Sequence, residues 1–227
     1  MMMKKISFLL LIASVAYCAM PEGIDVSGYQ PNVTWSAVKA NGVEFVYIKA
    51  TEGTTFKSGA FNSQYTGATQ VGLIRGAYHF AQPASSSGAA QASFFLANGG
   101  GWTADGRTLP GALDVEYNPN GPRCYGLSTS AMTLWIRDFS DTYHAKTSRY
   151  PVIYTTTNWW KECTGNAAGF QNNNPLWIAR WGTAIGELPA GYGFTTFWQY
   201  ADSGRNPGDQ DRFNGDSAGL ARFAQGG

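Results

Sequence analysis

The 227 residues hold 16 Lys and Arg against 15 Asp and Glu, and without Lys4 and Lys5 the balance becomes 14 against 15, formally −1. No basic run is longer than that pair, which excludes nucleic acid as a partner on charge. Aromatic residues at 15 % exceed charged ones at 14 %, an excess that suits a polar, uncharged, flat-faced ligand.

Lys4 and Lys5 precede an apolar run, Ile6 to Ala16, that is too short to span a bilayer. Residues 1–20 therefore read as a secretory signal, with cleavage best placed after Cys18, where Ala16 and Cys18 take the small-residue positions. Tyr17 argues against a lipoprotein site. The expected mature chain, 21–227, is secreted and not stably held at a membrane. Its length of about 207 residues is ordinary for one α/β barrel, and the Gly/Ser stretches Ala84–Gly88 and Asn98–Gly101 are too short for linkers.

Apolar runs of strand length then alternate with helical stretches, the pattern of a parallel sheet. Gly23–Val26 opens the series and Thr34–Ala40 is the first helical candidate. Phe45–Ala50 follows, then a Gly-interrupted helical stretch at Ala60–Thr69, a strand at Leu73–Phe80 and a helix at Gly88–Ala97. Gly111–Tyr117 reads as the fourth strand. After it, Ser128 caps a helix that places Met132, Trp135, Ile136, Phe139 and Tyr143 on one face and ends near Thr147. Tyr150–Thr155, a short helix at Trp159–Cys163, Leu176–Ala179 and Phe194–Tyr200 continue the order, and Asp211–Phe213 supplies a plausible eighth strand. The sum is a single (β/α) barrel of the TIM type, irregular and flattened because several connectors are too short for full helices. An open doubly wound sheet is disfavoured, since Gly23-Ile24-Asp25-Val26-Ser27-Gly28 lacks the three-glycine spacing of a phosphate loop.

Once Cys18 is lost, Cys124 and Cys163 are left in an oxidising compartment, and a disulfide between them is the economical reading; two free buried thiols are the alternative.

In a parallel barrel, reactive groups stand at the carboxyl ends of strands. Five acids qualify: Asp25, Glu52, Asp114, Glu116 and Asp211. The other ten of the 15 read as solvated surface. Asp114-Val115-Glu116 is the sharpest local signal, because residues two apart on a strand share a face. Repulsion and partial burial should raise one carboxyl into proton-donating range while the other stays ionised. Glycosidic cleavage needs that division of labour. Around these acids lie Tyr78, His79 and Phe80, then Tyr154, then Trp177, Arg180 and Trp181, then Trp198, Gln199 and Tyr200, all at strand ends. These side chains are expected to bind substrate, rings stacking on sugar faces and polar groups such as Arg180 and Gln199 bonding hydroxyls, although the rings could simply fill the core. His79 and His144 cannot build a metal cage at this spacing, no Gly-x-Ser-x-Gly elbow is present, and no cofactor or metal is expected.

In order, Gly23-Ile24-Asp25-Val26-Ser27-Gly28-Tyr29-Gln30, Tyr47-Ile48-Lys49-Ala50-Thr51-Glu52-Gly53, Gly76-Ala77-Tyr78-His79-Phe80, Ala112-Leu113-Asp114-Val115-Glu116, Leu176-Trp177-Ile178-Ala179-Arg180-Trp181, Trp198-Gln199-Tyr200 and Asp211-Arg212-Phe213-Asn214-Gly215 resemble glycoside hydrolase family 25, the Chalaropsis-type lysozymes, and most closely its fungal members. The resemblance implies an irregular barrel that cuts the β-1,4 bond after N-acetylmuramic acid in bacterial peptidoglycan, in some members even when that sugar is O-acetylated. It implies Glu116 as general acid, Asp114 as partner carboxylate, Asp25 and Asp211 as further acids lining the cleft, and Glu52 as another family acid. It also implies a Cys124–Cys163 disulfide and retention of configuration, with Asp114 orienting the substrate's acetamido group; the residues themselves leave nucleophile, base and substrate assistance open. A chitinase-like barrel would carry an Asp where Ala112 stands, and a non-catalytic sugar-binding or inhibitor protein would be expected to have lost Glu116. A monomer is the expected state.

Overall fold

The computed structural model describes residues 20–227, so the expected signal segment lies outside the described residues. Strand β1 (Glu22–Val26) pairs in parallel with β2 (Val43–Glu52), and β2 pairs in parallel with β4 (Ile74–Phe80). The ladder continues in parallel through β5 (Ala112–Asp114), β6 (Val152–Thr155), β7 (Leu176–Ala179) and β8 (Phe197–Ala201). β9 (Asp209–Phe213) then closes the ring between β8 and β1, antiparallel to both. Eight strands thus form a closed barrel, and the two-residue β3 (Phe56–Lys57) is a hairpin arm on the end of β2.

The fold departs from the sequence reading in several strands. β5 is only three residues long, although Val115 N–H still donates to Tyr154 O at 3.0 Å and keeps the chain extended beyond it. β8 begins at Phe197 rather than Phe194. The eighth strand runs antiparallel because no helix, among the described residues, separates it from β8, so the chain has no crossover with which to return to the other end.

Helices α1 (Trp35–Ala40), α2 (Phe61–Gln70), α3 (Gly88–Ala97), α4 (Thr129–Thr147) and α5 (Thr157–Thr164) cover part of the outside. α4 forms where the 3.6-residue period and its cap predict: Ser128 Oγ accepts from Ala131 N–H at 3.2 Å, and Met132, Trp135, Ile136, Phe139 and Tyr143 are all buried. It packs closely on α3 because Gly88 brings no side chain to a place where a Cβ would strike the α4 backbone at Trp135 and Phe139. A sixth helix, α6 (Ser217–Gln225), unforeseen in the sequence, is capped by Asp216 and inserts Leu220 and Ala224 into the barrel interior beside Phe45, Phe197 and Phe213.

Inside the barrel Tyr47 stacks on Trp177 with centroids 4.8 Å apart, and Tyr47 Oη donates to Pro110 O at 3.0 Å. Outside it, a second core lies under α3, α4 and α5, and a third under α1 and α2. Cys124 and Cys163 are joined in a disulfide across 39 residues, with Cα atoms 5.3 Å apart. It ties the loop after β5 to α5.

Candidate active site

A cleft of about 220 Å³ opens at the carboxyl ends of the parallel strands, lined by Asp25, Asp114, Glu116 and Asp209, by Lys49, and by the rings of Tyr29, Tyr78, Phe80, Tyr154 and Trp177. Strand alternation accounts for most of this lining. Tyr78 and Phe80 face inward from β4, and Phe80 is level with Asp114, which is level with Tyr154 on the next strand. Val115 turns outward into the core under the helices, so Glu116 returns to the same side as Asp114.

The same period of two removes several expected contacts. His79, between Tyr78 and Phe80, points outward and is fully buried, with Nδ1 2.7 Å from Thr51 Oγ1 and Nε2 2.9 Å from Gln91 Oε1. Burial lowers its pKa to about 4, so it is a neutral structural ring. Trp198 and Tyr200 flank the inward Gln199 and turn outward: Trp198 Nε1 donates to Arg180 O, and Tyr200 Oη donates to Glu22 Oε2 at 2.7 Å. The Arg180 side chain lies beyond β7, exposed over Gly186. None of these four lines the cleft.

Lys49 and Glu52 are three residues apart and would sit on opposite faces of a regular strand. A bulge at Ala50 shifts the register between Lys49 and Thr51, so Lys49 stays level with Tyr78 while Glu52 is level with Phe80. Lys49 Nζ then reaches Glu52 Oε2 at 2.7 Å, and Gln82 Nε2 donates to Glu52 Oε1 at 2.9 Å. Glu52 therefore stands behind Lys49, whose ammonium also lies 4.6 Å from the Phe80 ring centroid.

Asp211 is recessed as well. It is 0 % exposed, one layer below the cleft floor, and Trp177 Nε1 donates to its Oδ1 at 2.8 Å. The acid that β9 contributes to the cleft is Asp209, which the sequence reading left among solvated surface acids. The reason is strand direction. In an antiparallel strand the first residue, not the last, stands at the catalytic end, so Asp209 is level with Asp25 and Asp211 with Gly23. Gly208, at φ 75°, brings the chain against Asp25 O where a Cβ would collide. Asp209-Gln210-Asp211 repeats the spacing of Asp114-Val115-Glu116, the signal that could have found it.

Burial and mutual repulsion dominate the electrostatics. Burial raises Asp25 to about 8, with Asp209 adding to the shift and a bond from Gln199 opposing it. Asp209 is raised to about 6, by burial and then by Asp202. Asp211 is well above its ordinary range, through burial and the nearby Asp25, with the bond from the Trp177 indole opposing the shift. Burial and Glu116 hold Asp114 well up, and burial raises Glu116; Lys49 opposes both shifts. The free protein thus raises both members of the central pair, where a split was expected. What distinguishes them is access: Glu116 is half-buried at the cleft, whereas Asp114 is recessed and its Oδ1 finds no hydrogen-bond partner in the protein.

An acid pair flanked by stacking rings is the equipment of a glycosidase, and the profile of the glycosyl hydrolases family 25 matches residues 24–209. The chain belongs to this family. Among its relatives, an N,O-diacetylmuramidase of Arthroderma benhamiae is 57 % identical over 206 residues, covering 91 % of this chain and 87 % of the relative. An N,O-diacetylmuramidase of Chalaropsis is 47 % identical over 209 residues, 90 % of this chain and 99 % of the other. The solved structure of a muramidase from Acremonium alcalophilum superposes with a TM-score of 0.90 at 64 % identity, covering 91 % of this chain and all of that one. As a family 25 glycoside hydrolase, the enzyme carries its acids where the fold's parallel strands end, with Asp209 as the antiparallel exception.

Proposed function

We propose that this family 25 enzyme is a secreted, monomeric muramidase that hydrolyses the β-1,4 bond between N-acetylmuramic acid and N-acetylglucosamine in bacterial peptidoglycan. The observation that carries the reading is the pairing of a recessed Asp114 with an accessible Glu116, both carboxyls raised by burial, in one aromatic-lined cleft. Relatives named for the same activity support the substrate.

Glu116 donates its proton to the glycosidic oxygen as the bond from the anomeric carbon breaks, and a water later returns a proton to Glu116 while its oxygen bonds the anomeric carbon. Asp114, which lines the cleft beside Glu116, accepts the acetamido N–H and orients that group toward the anomeric carbon. Tyr78 and Tyr154 give the sugars apolar ring surface, with the buried Trp177 beneath them as the floor of the cleft. Glu52 acts through Lys49, and Asp25, Asp209 and Asp211 supply the negative field that favours an oxocarbenium-like centre whenever they are ionised.

The test is digestion of purified peptidoglycan, reduction of the fragments and identification of the new reducing end. Muramic acid at that end is expected. Glucosamine there, or an uncut polymer, overturns the reading.

A further inference from the structure

Gln199 is 1 % exposed and lies between the acids of β1 and β9. Its Nε2 donates to Asp25 Oδ2 at 2.8 Å and to Asp209 Oδ2 at 3.0 Å. Its Oε1 accepts from Tyr154 Oη and from Trp181 Nε1, both at 3.0 Å. An amide has two N–H donors and two carbonyl lone pairs, so all four positions are taken inside the protein. The orientation is fixed too. An indole N–H can only donate, so a flipped amide would turn its own N–H groups toward Trp181 and lose that bond. A bulge directly after Gln199, where the register of β8 against β9 shifts before Ala201, ends the regular ladder at this residue.

We infer that Gln199 is a positioning residue: it holds Asp25 and Asp209 in one geometry and has no bonding capacity left for substrate. The inference rests on the reading that these acids serve glycan hydrolysis. It replaces the sequence expectation that Gln199 binds sugar directly. It also makes Trp181, exposed at 60 % with its indole N–H on the Gln199 carbonyl, the outermost member of a chain that runs from the protein surface to the acids.

The bond from Gln199 favours ionised Asp25 against the combined pressure of burial, Asp209, and Glu116. Asp211 on β9, Asp114 on β5, Tyr78 on β4 and Tyr154 on β6 also face this cluster. Losing the amide removes the larger of the influences that oppose those pressures, so Asp25 should hold its proton to higher pH.

The experiment compares the parent, Gln199→Met and Glu116→Gln on soluble peptidoglycan fragments across pH. Methionine keeps the side chain's length and removes every donor and acceptor of comparable strength. Gln199→Met is expected to lower kcat by about 10- to 100-fold, to leave KM within about twofold, and to move the acidic limb of the kcat profile to higher pH. A raised KM with parental kcat would mean direct sugar binding and overturns the inference, as does a parental kcat and pH profile. If Gln199→Met does not fold, Trp181→Phe, which frees one side of the amide from the surface, carries the same test. A reduced kcat with a displaced limb supports positioning, and parental values overturn it. A parent without activity, or a fully active Glu116→Gln, sinks the functional reading and this inference with it. An active parent, an inactive Glu116→Gln and a parental Gln199→Met sink the inference alone.

Discussion

Lys49 Nζ lies 2.7 Å from Glu52 Oε2 because a single bulged residue, Ala50, turns both side chains to one face of β2. The ammonium so placed opposes the raised pKa of both Asp114 and Glu116. Lys49→Met removes that opposition, so both carboxyls should bind protons more tightly. Both limbs of the pH profile of kcat/KM are then expected to move to higher pH together, with a fall of about tenfold or more at the parental optimum. Initial rates on peptidoglycan across pH check this, and an unmoved profile would separate Lys49 from the acid pair.

Glu116→Gln should lower kcat by about 10²- to 10⁴-fold while leaving thermal stability and binding to cell walls as in the parent. Asp114→Asn should also lower turnover strongly. Its loss should depend on the acetamido group of the substrate, since the amide can no longer accept the acetamido N–H as an anion would. Rates on acetylated and de-N-acetylated glycans distinguish the two variants.

Stability should fall as pH rises from about 6.5 to 8. Asp25 keeps its proton in the folded protein up to about 8, while its unfolded counterpart ionises near 3.8, so the unfolded state binds fewer protons across that interval. His79 works in the opposite sense: its folded value of about 4 lies below 6.5, so its contribution is lost as pH falls through that lower interval. Above 6.5 the histidine no longer contributes a slope, and the acids act alone. Calorimetry at constant ionic strength should show a declining midpoint from pH 6.5 to 8, and Asp25→Asn should flatten the decline.

Replacing Cys124 and Cys163 by Ala should cost about 2–4 kcal/mol, seen as a lower midpoint of thermal unfolding. Because the bridge ties the loop after β5 to α5, limited proteolysis of the variant should cut first between Tyr117 and Cys124.

The sequence was most legible where a local rule and the tertiary environment agree. α4 shows this best: a Ser128 cap and five apolar residues at helical spacing give both its limits and its buried face. Asp114 and Glu116 were legible because the chain stays extended past the end of β5, preserving the alternation that sets them side by side. Where consecutive residues at a strand end were all assigned to the cleft, the pleat divides them: Tyr78 goes in and His79 out, Gln199 in and Trp198 and Tyr200 out. Asp209 was hidden by strand direction, which depends on whether a crossover helix intervenes and not on the strand's own residues. α6 was hidden because its apolar positions are few, with only Leu220 and Ala224 fully buried.

Leu220 and Ala224 close the barrel at the end away from the acids. Solvent therefore meets Asp25, Asp114 and Glu116 from the side on which a polysaccharide lands, and the incoming chain displaces it. The medium in which Glu116 gives up its proton is then set partly by the sugars themselves, so short fragments that leave the groove wet should be cut more slowly per encounter than long strands that cover it.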